Sequence, residues 1–404
     1  MSRKYIYGIL LIVLFLLSSI NVFPQFGKNK VQYRKFDWRY IETEHFDVYY
    51  DAGSKAIAEF AAVSAERALI SIQNTLNYKF SMRIALIVYD SHNDFQQTNV
   101  TGGYLPEGVG GFTELFKNRV VVPFQGSYSQ LRHVIHHELV HAVLNDMFYG
   151  GTLQSALMTS NSFQIPLWLN EGLCEYESLG GLDIETDMFI RDLTISEKLP
   201  SLSQLDGYLA YRGGQTFYWF VSEKYGKAKV TEFLNKLYIN KNLEQTFQST
   251  FNMSFRDFSE MWEREIKKIY WPDLKVFEDP RDFALKLTDR RDIGNYYNTS
   301  PAISPNGDQF AFISDRDDGI FAIYIQDVDA KAKPRKLVSS LRKQDFEDLN
   351  LLTPGIAWDP NGQKLAISAK SGGEDAIFIV DAKTGNYQRL LFGLRSISSV
   401  SWSK

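Results

Sequence analysis

The 404-residue chain has very little cysteine and no surplus of positive charge. Cys174 is the single cysteine, so an internal disulfide is excluded and the folded chain depends on packing or on a bound metal. Lys and Arg total 44 against 48 Asp and Glu, which gives a formal charge of -4, and no dense basic block occurs. Nucleic acid is therefore not an expected partner, because phosphate binding needs a positive face.

Apolar residues, in contrast, are abundant. They make up 44% of the chain, and aromatic residues make up 14%. This material is enough for more than one hydrophobic core and excludes a globally disordered chain. At roughly 100–200 residues per domain, the length predicts two or three domains.

Long apolar runs are rare, and the one that stands out lies at the amino terminus. Arg3 and Lys4 precede an apolar run over residues 6–17, and small polar residues follow it. This pattern is typical of a secretory signal, which we assign to residues 1–25 and expect to be cleaved. The prediction is export to the periplasm or the cell exterior, with no stable membrane span after cleavage. An uncleaved membrane anchor is the alternative, because residues 5–27 contain no charge.

Between residues 26 and 272, strand and helix patterns alternate. The predicted elements are strands at 44–50, 83–89 and 120–122, helices at 54–76 and 255–271, and a mostly helical stretch from 130 to about 240. A loop with five glycines lies at residues 101–112, without the Gly-Lys-Ser/Thr sequence of a phosphate-binding loop. These patterns predict an α+β domain over residues 26–272.

After Pro272 the sequence changes to short apolar runs separated by turns. A Pro-Asn-Gly turn followed by an apolar strand occurs in residues 301–314 and again in 355–368, and a third copy begins at residue 398. Units of about 40–50 residues with four strands are typical of propeller blades. The repeats resemble the blades of TolB-like propellers.

Closed propellers need at least four blades. Residues 273–404 are therefore predicted to form an incomplete, all-β propeller module, and the natural protein is expected to be longer or the module to pair with another copy. With so few blades, Phe310, Phe312, Ile356 or Phe378 is expected to be partly exposed unless more chain or a partner covers it.

Histidine is also scarce, and four of the six histidines fall within residues 133–141. The five residues from His137 to His141 read His-Glu-Leu-Val-His within an apolar pattern of helical spacing. Residues four apart share a helix face, so His137 and His141 can hold one zinc ion, with Glu138 beside them as general base. A buried helix whose histidines make ordinary hydrogen bonds is the alternative interpretation.

A catalytic zinc site needs a third protein ligand, and the sequence offers two kinds of candidate. Residues 166–176 contain Glu171 and Glu175, four apart, so one can bind the metal while the other orients a ligating imidazole. His133 is the competing candidate. It shares the helical stripe of the two motif histidines, although the turn of the helix carries it away from them.

Residues 168–172, Trp-Leu-Asn-Glu-Gly, resemble the third-ligand segment of the gluzincin metallopeptidases, and of the peptidase MA-like and aminopeptidase-type members in particular. The resemblance covers roughly residues 36–274. It implies a zincin-like fold with Zn2+ as cofactor, Glu171 as the third zinc ligand and Glu175 as the partner of a ligating histidine.

Gluzincins of the aminopeptidase type also carry a tyrosine that stabilises the oxyanion, in a Tyr-x-x-Gly segment. Tyr211-Arg212-Gly213-Gly214 stands in a comparable place before a helix predicted over 215–224, which implies Tyr211 in that role. A tyrosine packed at a helix start is the alternative interpretation, and Arg212 could instead hold a substrate carboxylate.

The Gly-Ala-Met-Glu-Asn segment, by which aminopeptidases hold a free amino terminus, does not occur. The predicted function is therefore an exported zinc endopeptidase or oligopeptidase acting on peptides or proteins. Residues 110–113 or 119–122 are candidates for an edge strand that aligns an extended peptide. The alternative function is a non-catalytic envelope binding protein or scaffold, whose propeller module binds protein partners.

Overall fold

The computed structural model describes residues 32–103, 105–114, 119–150, 163–289, 297–317, 319–329, 331–339, 345–351 and 355–403. The predicted signal at residues 1–25 lies outside this set. Within the described part of the chain, no helix is long and apolar enough to cross a membrane.

A five-stranded sheet forms the centre of the first half of the fold. Its strands are β1 (Trp38–Glu42), β2 (Phe46–Asp51), β3 (Ile84–Tyr89), β4 (Phe112–Thr113) and β5 (Val120–Pro123), in the order β1-β2-β3-β5-β4. The three central strands run parallel, and β1 and β4 are antiparallel to their neighbours. The short strand β4 is therefore an edge of the sheet.

Helices cover the sheet and continue after it. The described helices are α1 (Lys55–Leu76), α2 (His92–Phe95), α3 (Tyr128–Tyr149), α4 (Leu167–Leu179), α5 (Ile184–Ile195), α6 (Tyr208–Tyr225), α7 (Lys227–Asn240), α8 (Leu243–Phe251), α9 (Phe255–Tyr270) and α10 (Pro280–Phe283). Apolar faces of α1 and α3 pack with β2 and β3 in one core. Apart from the helix predicted over 215–224, the predicted strands and helices match these bounds to within a few residues, which confirms a mixed α and β fold for this half.

Two glycines let α4 and α6 approach closely. A Cβ atom on Gly172 would lie 2.3 Å from the backbone of Gly214, and one on Gly214 would lie 2.0 Å from the Trp168 carbonyl oxygen. Such contacts are too short for any side chain, so only glycine fits at both positions. Tyr211 lies in the first turn of α6, which begins at Tyr208. The prediction that this helix begins at residue 215 is therefore wrong.

Two antiparallel sheets follow, the first with four strands and the second with five, and we call residues 297–403 the β module. The first sheet contains β6 (Asn298–Ile303), β7 (Gln309–Ser314), β8 (Ala322–Asp327) and β9 (Arg335–Ser339). The second contains β11 (Ile356–Trp358), β12 (Lys364–Ser371), β13 (Glu374–Asp381) and β14 (Tyr387–Leu390), with β10 (Asp348–Leu349) also paired to β12. The described residues thus form two blade-like units and no closed ring.

The repeated Pro-Asn-Gly segments form the same turn in both sheets. Gly307 and Gly362 have positive φ angles of 78° and 68°, which favour glycine. Ser304 Oγ and Asp359 Oδ1 accept backbone N–H groups at the start of the following strand. The repeat therefore predicts local structure correctly, because the turn chemistry is contained in the repeat itself.

The third copy of the repeat is not a strand, but it keeps a contact between neighbouring units. Trp358 Nε1 donates to the carbonyl oxygen of Ala302 in the preceding sheet, at 2.8 Å. Trp402 Nε1 donates to the carbonyl oxygen of Ala357 at 3.1 Å, one repeat further along the chain. Trp402 therefore contacts the second sheet in the same way as Trp358 of the second sheet contacts the first.

The expectation of exposed apolar side chains in the β module is wrong. Its four residues are all buried: Phe310, Phe312, Ile356 and Phe378. The two sheets share one apolar core, and Leu287 from the preceding segment packs against the cluster that contains Phe310 and Phe312. Two units therefore cover their own apolar faces, aided by the connection that leads into them.

The apolar core of the β module contains no residue of the first half, whose core is made by the sheet and helices up to α9. Side-chain contacts between the halves include polar pairs such as Asn93–Asp375, which water can replace. We expect residues 26–274, expressed alone, to fold with helical circular dichroism and a cooperative thermal transition. An unfolded fragment would show that the halves depend on each other, and the boundary near residue 272 would be wrong.

Candidate metal centre

The predicted ligand side chains converge between α3 and α4. The Nε2 atoms of His137 and His141 each lie 3.3 Å from the same atom, Oε2 of Glu171. His137 and Glu171 are both buried, with 9% of their surface exposed. Two histidines of α3 and one glutamate of α4, 30 residues further along the chain, thus meet at Glu171 Oε2.

The two distances from Glu171 Oε2 to the imidazole nitrogens fit a metal ion. Zinc bonds of about 2.0–2.2 Å in a tetrahedral arrangement set ligand atoms about 3.4 Å apart. The Glu171 Oε2 atom is also buried without a hydrogen bond of adequate geometry. Burying a carboxylate oxygen with no donor is costly unless a cation lies against it. The atoms of His137, His141 and Glu171 are therefore suited to holding a cation on both geometric and energetic grounds.

The opposite nitrogen of each imidazole contacts an oxygen atom. His137 Nδ1 lies 2.9 Å from Oε1 of Glu175, and His141 Nδ1 lies 3.2 Å from Oδ1 of Asn170. Metal-binding histidines usually donate their other ring N–H to such an oxygen, which fixes the tautomer and the ring orientation. Glu175 thus lies where the resemblance implies. Asn170 was not predicted, although it stands directly before Glu171 in the quoted segment.

Two other groups of three side chains are close enough to share a cation: His137, His141 and Cys174, and His133, His137 and Glu175. The Cys174 Sγ atom contacts His141 at Nδ1, 3.5 Å away, on the side of the ring away from Glu171. His133 Nε2 lies 3.7 Å from a Glu175 oxygen that already contacts His137. We therefore favour the group with Glu171, whose Oε2 atom lies 3.3 Å from Nε2 of both histidines.

The charges of the site favour a divalent cation. Glu138, Glu171 and Glu175 are buried carboxylates, and Arg212 is the guanidinium that contacts one of them, at 3.3 Å from Glu175. These four groups leave two negative charges in a poorly hydrated place. Burial acts to lower the pKa of His137, but contacts with Glu171 and Glu175 outweigh it and raise this pKa to about 10. The site therefore holds positive charge strongly, as a proton or as a metal.

Arg212 is fully engaged within the protein. Its Nη1 donates to Thr186 Oγ1 at 2.9 Å and lies 3.3 Å from Glu175, while its Nε donates to the Tyr208 hydroxyl at 2.8 Å. Its Nη2 contacts Glu185 at 3.3 Å. The alternative prediction, in which Arg212 holds a substrate carboxylate, is therefore not supported by this geometry. Arg212 instead holds the carboxylate that contacts His137.

Tyr211 lies beside the ligand group. Its ring stacks on that of His137, with centroids 6.0 Å apart and planes inclined by 12°. Burial raises the pKa of Tyr211, and the nearby carboxylates of Glu171 and Glu138 raise it further. The hydroxyl therefore stays protonated at neutral pH and can donate a hydrogen bond.

Glu138 is held by the edge of the sheet. Thr113 Oγ1, in β4, lies 2.8 Å from Glu138 Oε2 and 2.8 Å from the backbone oxygen of the same residue. A Cβ atom on Gly111 would lie 3.1 Å from Glu138 Cγ, so the backbone of the glycine-rich loop also approaches this side chain closely. No sequence pattern pointed to Thr113, because β4 is two residues long and shows no periodicity.

Three known structures are similar to parts of this chain. TolB from Acinetobacter baumannii is 25% identical over 23% of this chain and 21% of its own, with a TM-score of 0.19. A mutant two-domain M1 zinc metallopeptidase bound to L-arginine is 15% identical over 57% of this chain and 51% of its own, with a TM-score of 0.33. Legionella pneumophila aminopeptidase A in complex with aspartic acid is 12% identical over 75% and 36%, also with a TM-score of 0.33.

The chain thus spans about half of one of these proteins and less of the other two. TM-scores this low transfer neither fold nor function to this chain. No curated protein sequence matches it. The sequence does match the Peptidase MA superfamily over residues 64–268, half of its length and all of the ligand group described above. The chain therefore belongs to the Peptidase MA superfamily.

Proposed function

We propose that the protein is a zinc-dependent peptidase, an endopeptidase or oligopeptidase. The observation that carries this proposal is the convergence of His137 Nε2, His141 Nε2 and Glu171 Oε2, with Glu138 and Tyr211 beside them. A purely structural metal site needs neither a general base nor an oxyanion donor, so the full set of residues favours catalysis over a scaffold role.

Each side chain has a role in peptide hydrolysis. Zinc, when bound by the two histidines and Glu171, supplies Lewis acidity that activates water and polarises the scissile carbonyl. Glu138 accepts a proton from the attacking water and gives it to the leaving nitrogen. The Tyr211 hydroxyl donates to the oxygen on which negative charge develops. Glu175 and Asn170 keep the two imidazoles in the tautomer that leaves Nε2 free.

The peptide-binding edge is the short strand β4. It borders Glu138 directly, and an extended peptide can add to a sheet edge by backbone hydrogen bonds. The other candidate, residues 119–122, lies in β5, which is paired on both sides with β3 and β4. The sequence lacks the Gly-Ala-Met-Glu-Asn segment that would hold a free amino terminus. Binding through the peptide backbone therefore favours cleavage within a chain.

The function is tested by metal content and hydrolysis measured together. We expect the purified protein to contain one zinc per chain and to cleave fluorescein-labelled β-casein. A chelator should abolish cleavage, and added zinc should restore it. Stoichiometric zinc without hydrolysis of casein or of a mixed peptide library would instead favour the scaffold function, with the β module as a binding surface for envelope proteins.

A second prediction concerns Thr113. The change Thr113→Val keeps the shape of the side chain but removes the hydroxyl that holds Glu138, so we expect turnover to fall about tenfold, the effect of one lost hydrogen bond. Thr113→Ser keeps the hydroxyl and should retain most of the activity. Zinc content should be unchanged in both variants. Equal activity of the valine and serine variants would contradict this role.

Export is a further part of the proposal, and it rests on the charged, apolar and polar sections of residues 1–25. Substrates would then be peptides or proteins outside the cytoplasm. Mass spectrometry of the protein recovered from its native compartment distinguishes a cleaved signal from an uncleaved membrane anchor. Removal of about 25 residues would support signal cleavage, and an intact amino terminus in the membrane fraction would support the anchor.

A further inference from the structure

The glycine-rich loop, of which the structure describes residues 101–103 and 105–111, leads directly into strand β4 beside Glu138. At its end Gly111 packs against Glu138, and Thr113 of the following strand β4 hydrogen-bonds to the same carboxylate. The position of this loop therefore sets the position of the β4 edge relative to Glu138.

A loop with five glycines has little conformational preference of its own. Its position must be fixed by contacts from outside, and two come from the region of α2. Gln96 Nε2 donates to the carbonyl oxygen of Leu105 at 2.8 Å, and His92 Nε2 lies 3.2 Å from the carbonyl oxygen of Val109. These bonds hold the loop backbone at two points.

The β module holds the same loop from the other side. The backbone N–H of Leu351 donates to Oε2 of Glu107 at 2.5 Å, so a loop side chain is bonded directly to the β module. Lys370 Nζ donates to Gln96 Oε1, and both of these side chains are buried, with 8% exposed. The β module thus contacts the loop itself and one of the residues that anchor it.

We propose that the β module is part of the peptide-binding apparatus. By holding the glycine-rich loop through Glu107 and Gln96, it fixes β4 at the distance from Glu138 that an extended peptide requires. The inference rests on the proposed function. Strand addition depends on a preorganised edge, since a mobile edge must be ordered when the peptide binds. The affected property is therefore affinity for extended polypeptide, and metal binding is unaffected.

Amide hydrogen exchange on the full-length protein tests whether the β module holds the glycine-rich loop. Glu107→Ala removes the acceptor for Leu351, whereas Glu107→Gln keeps an acceptor oxygen. We expect amides in residues 105–113 to exchange about fivefold faster in the alanine variant, as for the loss of one hydrogen bond, and near the normal rate in the glutamine variant. Lys370→Met, which removes the contact to Gln96, is a second variant expected to act like the alanine variant.

Tyr33→Phe is the matched control for these variants. It removes a hydrogen bond from Tyr33 to Glu347 of the β module, at 3.2 Å, that does not involve the loop. Exchange in residues 105–113 should be unchanged in this variant. Unchanged exchange in both Glu107→Ala and Lys370→Met, or an equal increase in Tyr33→Phe, would overturn the inference.

Binding of fluorescein-labelled β-casein tests whether holding the loop increases the affinity for extended polypeptide. The measurement uses Glu138→Gln as the background, so that the probe is not cleaved. We expect its dissociation constant to rise about fivefold when Glu107→Ala is added, with zinc content unchanged. A faster-exchanging loop with unchanged casein affinity would overturn the role in peptide binding. If casein does not bind the background variant at all, the proposed function fails, while hydrogen exchange still decides whether the β module holds the loop.

Discussion

Glu138→Gln is expected to lower the turnover of a peptide substrate by roughly a hundredfold or more, the contribution expected of a positioned general base. Glutamine keeps the size of the side chain and an oxygen that can accept the hydrogen bond from Thr113. It cannot take a proton from water at neutral pH. The expected result is a folded protein that contains zinc and hydrolyses substrate very slowly.

Two controls separate loss of the general base from loss of folding or of zinc. Glu223→Gln makes the same chemical change on the exposed surface of α6 and should leave turnover unchanged. Zinc content and the thermal midpoint of the Glu138 variant should match those of the unchanged protein, because Glu138 is not among the proposed ligands. Normal hydrolysis by a pure, zinc-containing Glu138→Gln sample would contradict the general-base role.

The parts of the site that the sequence predicted are those with a local signature. His137 and His141 are four residues apart on one helix, and Glu171 and Glu175 are four apart on another, so helical geometry alone places each pair on one face. The pairing of one helix with the other came from the resemblance to gluzincins. Spacing along the chain carries no information about which faces of distant helices meet.

The contacts that the sequence did not predict join distant parts of the chain. Thr113 reaches Glu138 from a two-residue strand, and Arg212 reaches Glu175 from a different helix. The close approach of Gly172 and Gly214 likewise depends on how α4 and α6 pack. Short polar contacts of this kind leave no periodic pattern, and a glycine that permits helix contact looks in sequence like any other glycine.

The β module also has features that the sequence predicted and features that it did not. The repeated turn was predicted because Ser304 and Asp359 bond to backbone within their own segments. Burial of Phe310 and Phe312 was not predicted, because Leu287 precedes the first repeat and packs beside them. A repeat pattern describes the contacts within and between units, and it does not reveal which outside segment covers the end of the row.

The second large effect is expected for Glu171→Gln. The neutral amide removes the charge that faces both imidazoles, so zinc affinity should fall by more than the ~10–100-fold that loss of a partner outside the coordination sphere costs. Glu175→Gln removes such a partner and should produce an effect within that smaller range. Zinc content after dialysis and competition with a chromophoric chelator measure both variants, independently of hydrolysis.

Two further variants separate the alternative ligand groups. Cys174→Ser and His133→Gln each remove the side chain that defines one of the other cation groups found in the structure. If His137, His141 and Glu171 are the ligands, both variants keep stoichiometric zinc, because Cys174 faces Nδ1 of His141 and His133 contacts only Glu175 among the carboxylates near the site. Loss of zinc in one of these variants, with retention in Glu171→Gln, would transfer the third-ligand role to that residue. Oε2 of Glu171 faces Nε2 of both imidazoles, which makes the opposite result the expected one.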